Sequence, residues 1–124
     1  MKKQLLTVAV MSLSALWCNG VLAHGGAKAR HGGVVVMVSD LSFELAAQGG
    51  NAVIYVEDHG KPMVPKGLKG KLTVLIGAEK SQADLVLAGD KLEARGIRLA
   101  PGAKVVAVLV TPAAKAITVR FTVK

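Results

Sequence analysis

From Val34 to the end of the chain, apolar residues fall in short runs that alternate with polar ones and are separated by Gly, Pro, Asn and Asp. The alternation is clearest at the C-terminus. Ile117, Val119, Phe121 and Val123 lie on one side, and Thr118, Arg120 and Thr122 lie on the other. A period of two places successive side chains on opposite faces of a strand. Leu72, Val74 and Ile76 alternate with Lys71 and Thr73 in the same way, although Leu75 interrupts the polar side. Val105–Val110 is apolar on both sides, the pattern of a central strand.

Read in this way, the chain predicts strands at Val34–Val38, Leu41–Ala47, Ala52–Glu57, Lys71–Ile76, Ala83–Leu87, Lys91–Ala94, Lys104–Thr111 and Ala116–Val123. A short edge strand at Lys61–Pro65 is limited by its two prolines. No window beyond the N-terminus has a helical stripe with a capped start. The expected fold is all-β: one antiparallel β-sandwich (Ig-like) or small barrel of about eight short strands over residues 33–124.

The N-terminus follows a different logic. Met1-Lys2-Lys3 is basic, Gln4–Trp17 is largely apolar, and Val21-Leu22-Ala23 supplies a cleavage site. That is the pattern of a secretory signal peptide over residues 1–23, and its apolar run falls short of the ~20 residues needed to span a bilayer. Cleavage would leave 124 − 23 = 101 residues with no cysteine, in the periplasm or secreted, with no membrane span. Residues 24–32, rich in Gly and Ala, read as a flexible arm.

The full chain carries a formal charge of +8, and loss of Lys2 and Lys3 leaves 14 basic against 8 acidic residues, or +6. The basic residues are scattered and are not interleaved with aromatic ones, so nucleic acid is not an expected partner.

Candidate chemistry gathers between His24 and Met63. Processing after Ala23 makes His24 the first residue, with its α-amine and ring Nδ1 able to chelate one ion. His31 precedes Gly32-Gly33 at the mouth of the first strand, and His59 lies in an Asp58-His59-Gly60 turn. Alternation puts Phe43 inward and Glu44 outward, which leaves Glu44 and Asp58 to complete or orient a site. Met37 reads as core and Met63 as a soft donor near a turn. Imidazole and amine nitrogens suit a divalent transition metal, copper or zinc. No nucleophile elbow, phosphate loop or paired carboxylates can be identified, so the chain does not read as an enzyme.

The order His31-Gly32-Gly33-Val34, Asp40, Phe43-Glu44-Leu45, Tyr55-Val56 and Asp58-His59-Gly60-Lys61-Pro62 resembles a small periplasmic His-Gly-Gly-type domain. Similar domains occur in adaptor subunits of heavy-metal efflux pumps of the resistance-nodulation-division type. The resemblance implies an all-β fold, a role in envelope metal handling and a metal-efflux component as partner. It carries over His31 as a family-type position, with His59 beside it. This chain lacks the adaptors' coiled-coil hairpin and lipoyl-like segments, so it would act as a separate binding protein. The expected function is periplasmic transition-metal binding in homeostasis or efflux, with His24, His31, His59, Asp58 and Glu44 as the site. The alternative is a metal-free envelope interaction module that docks through a sheet edge or loop face.

Overall fold

A computed structural model describes residues 28–124. The expected signal peptide and His24 lie outside the described residues. Nine antiparallel strands form a nearly closed, barrel-like sheet: β1 (Val34–Val38), β2 (Leu41–Gln48), β3 (Asn51–Asp58), β4 (Lys61–Met63), β5 (Lys69–Ile76), β6 (Glu79–Ala88), β7 (Lys91–Ala94), β8 (Lys104–Val110) and β9 (Ala116–Thr122). The all-β expectation holds, and among the described residues there is no helix.

The pairing order is β1-β2-β3-β7-β6-β5-β8-β9, with β4 also on β3. Strands β4 and β7 share one edge of β3: β7 pairs with Ala52–Ile54 and β4 with Val56–Asp58. Strand β6 changes neighbours along its length. It pairs with β5 up to Leu85 and with β7 from Val86, turning the corner between the two halves of the sheet. Strands β1 and β9 run alongside each other without a ladder, so the barrel stops short of closure.

The core follows the alternation. Phe43, Leu45, Ile54, Leu72, Leu92, Leu109 and Val119 are all at most 1% exposed. Ile97, in the connection from β7 to β8, adds a buried side chain that strand periodicity does not announce. The outward face of β8 departs from the sequence expectation, because Val108 and Val110 are exposed rather than covered by a second layer. Met37, read as core, is also exposed, on the outward side of β1.

The outer face of β2 and β3 is covered. Ser42, Glu44, Ala46 and Val53 lie on that face and are buried. The segment leading into β1 lies against Glu44 and Ala46.

Candidate functional site

The site is built where that segment meets β2. Gly33 lets the two backbones approach closely: a Cβ there would stand 2.1 Å from the Leu45 carbonyl oxygen. Gly32 turns the chain with φ of +74°, a conformation L side chains rarely adopt. These two conditions account for Gly-Gly after His31.

The turn aims successive donors at Glu44. Its Oε1 accepts the Arg30 N–H at 3.0 Å and faces His31 Nδ1 at 3.0 Å. Its Oε2 accepts the N–H groups of His31 and Gly33, both at 2.8 Å. Burial by itself would raise the Glu44 carboxyl. The hydrogen bond from the His31 ring, followed by the backbone bonds from Gly33, Arg30 and His31, outweighs burial and holds the pKa below the ordinary carboxylate value.

An ionised carboxylate only accepts, so Nδ1 of His31 carries a proton, and in the neutral ring Nε2 is the nitrogen left with a lone pair. The imidazole also stacks on Tyr55, with ring centroids 3.5 Å apart and planes within 5°. Tyr55 is the direct cross-strand neighbour of Glu44. The ring is therefore held along one edge and across one face, and its side chain is still 40% exposed. Around it, Arg30 binds the Glu57 carboxylate through Nε and the Gly60 carbonyl through Nη2 at 3.3 Å. Lys91 lies 5.8 Å from the centre of the Tyr55 ring. A groove of about 250 Å³ opens here, lined by Arg30, His31, Tyr55, Glu57 and Asp90 among others.

His59 and Asp58 have hydrogen-bond partners of their own. His59 occupies the β3–β4 turn with φ of +53°, followed by Gly60 at +82°, as a two-residue hairpin of this hand requires. Its Nδ1 is 2.6 Å from Asp58 Oδ1, and its Nε2 is 3.7 Å from Asp40 Oδ2. Its backbone N–H donates to the Asp40 carbonyl at 3.2 Å, tying the β1–β2 and β3–β4 turns together. Met63 also lines the groove, and it packs against the core as the cross-strand partner of the buried Val56.

Thus His31 and Glu44 are brought together, and His59 and Asp58 form a second pair of their own. Among the described residues, no three or more His, Cys, Asp or Glu side chains are arranged to hold a metal ion. Arg30 and Glu57 escaped the sequence reading and Tyr55 entered it only as part of the resemblance, although the period of two puts Tyr55 and Glu57 on the same outward face as Glu44. Neither family models, curated proteins nor solved structures match this chain.

Proposed function

We propose that this protein is an exported transition-metal carrier, taking copper or a zinc-type divalent cation and acting in metal homeostasis or efflux. The observation that carries the reading is the Glu44–His31 bond. A histidine whose one ring nitrogen is held by a carboxylate presents the other as a fixed, more basic donor, the usual environment of a metal-bound imidazole. Glu44 has both oxygens engaged and orients the ring; it is not itself a ligand. A fuller coordination shell then draws on the residues before Lys28. If the leader is removed after Ala23, His24 adds an imidazole and an α-amine from a short tether. The site binds and does not catalyse, and a metal-efflux component would be its envelope partner.

Calorimetric titration of the exported protein with Zn(II) and Cu(II) at pH 7 tests this. One equivalent bound, lost in His31→Ala, is the expected result. The seam between β1 and β9, which no ladder closes, favours the competing reading of a metal-free docking module. Absence of stoichiometric uptake with both metals would leave that module standing.

A further inference from the structure

A different face of the barrel, on strands that contribute nothing to the His31 site, combines unneutralised positive charge with exposed aliphatic side chains. Lys69 lies beside Val110, Lys71 beside Val108, and Lys104 beside Leu75 across the β5–β8 ladder. Leu75 also faces Lys80 on β6, and Val106 faces Arg120 on β9. These positions alternate with the buried Leu72, Val74, Val105, Ala107 and Leu109, so they project outward. Leu75, Val108 and Val110 are 42%, 40% and 43% exposed. Asp84 is the carboxylate opposite Lys71, yet among the described residues none of the five cations forms an ion pair. Thr73, Gln82 and Thr118 supply hydrogen-bonding groups between them.

We propose that this face docks an acidic protein surface with an aliphatic centre. An apolar strip inside a polar and charged rim is the anatomy of a protein–protein interface. Complementary charge would steer the encounter and set the orientation. A second copy of this chain is disfavoured by like charge, +8 for the full chain and +6 after loss of Lys2 and Lys3. A lipid surface is a poorer match for the side chains present. The aliphatic side chains are shorter than the lysine and arginine side chains paired with them, whereas lipid insertion calls for an apolar face reaching ~5–10 Å into the membrane. The outward positions also include no aromatic residue.

The test is an NMR titration of the ¹⁵N-labelled protein with a synthetic peptide of alternating Glu and Val, using poly-glutamate of equal length as a charge-only control. Shifts should concentrate at Thr73, Val106, Val108 and Thr118. The Glu-Val peptide should bind about tenfold more tightly than poly-glutamate. Lys71→Glu with Lys104→Glu should abolish both interactions, and Val108→Ser should weaken only the first. Lys71→Gln with Lys104→Gln provides a milder pair if charge reversal disturbs folding.

Shifts on another face, equal affinity for the two polymers, or no binding would overturn the proposal. Binding to phosphatidylglycerol vesicles but not to the peptide would assign the face to membrane. Concentration-dependent dimerisation that protects the same amides would assign it to a second copy. The measurement needs no metal, so its failure leaves the reading of His31 untouched.

Discussion

The carboxylate of Glu44 holds His31 at two points, its ring Nδ1 at 3.0 Å and its backbone nitrogen at 2.8 Å. One side chain thereby fixes both where the residue sits and how its imidazole is turned. The Tyr55 ring, next door on β3, stacks on one face of the imidazole and limits its rotation. A single strand pairing, Glu44 with Tyr55, supplies the two groups that position the histidine.

Removing that carboxylate should loosen the whole entry segment. Glu44→Gln keeps the shape but replaces one acceptor oxygen with a donor facing N–H groups that still need acceptors. Hydrogen bonds to charged groups contribute ~1.5–3 kcal/mol each to stability, and a partial loss of the set should cost about 2–3 kcal/mol. Urea denaturation at pH 7 measures it. A loss below ~0.5 kcal/mol, ordinary for surface substitutions, would mean that the strap contributes nothing to folding.

The same contact sets a pH dependence. The folded-state carboxyl titrates below its ordinary value of 4.5, so its contribution is fully present above that value and is lost as pH falls through the folded pKa. Stability of the native protein minus that of Glu44→Gln should therefore be constant near neutrality and shrink in acid below about pH 4.5. A difference that grows with acid would reverse the sign and remove Glu44 as the cause.

The two glycines of the turn should differ in their tolerance. Gly32→Ala introduces a side chain into open space, so its cost is conformational, about 1–2 kcal/mol for a left-handed backbone. Gly33→Ala places a Cβ against the backbone of Leu45, which has no flexible tip to move aside. Backbone separation of β1 from β2 should make Gly33→Ala the costlier of the two in thermal unfolding. Equal melting temperatures would show that the entry segment can lift away freely.

Much of this arrangement was legible beforehand because strand periodicity is local. The alternation through Phe43-Glu44-Leu45 placed Glu44 outward, and Asp58-His59-Gly60 marked a hairpin. Pairing partners were not legible, because β3 with β7 and β5 with β8 join strands far apart in sequence. Without the register, nothing in the chain said that Tyr55 stands beside Glu44 or that Val108 lies among lysines. The sharing of one site by His31 and His59 was an expectation of sequence proximity and of the resemblance. Each ring instead has its own partners, Glu44 and Tyr55 for one, Asp58 and Asp40 for the other.

Those different partners give the two histidines different expected effects on metal binding. His31 offers an oriented Nε2, and His31→Ala should weaken Zn(II) or Cu(II) binding at least about tenfold, the usual scale for such groups. His59 has carboxylates near both ring nitrogens and a side chain 72% exposed at the turn. His59→Ala should leave the affinity unchanged within error. Imidazole must be deprotonated to bind, so affinity in the native protein should be lower in acid than near neutrality. Blocking the new α-amine by one added residue before His24 should weaken binding further if the arm supplies the chelate. Calorimetry of the native protein and these variants, run at pH 7 and pH 5, separates the cases. Equal losses in His31→Ala and His59→Ala would show that the two turns close on one ion. A loss in His59→Ala alone would move the site to the β3–β4 turn and leave the Glu44–His31 contact as a structural strap.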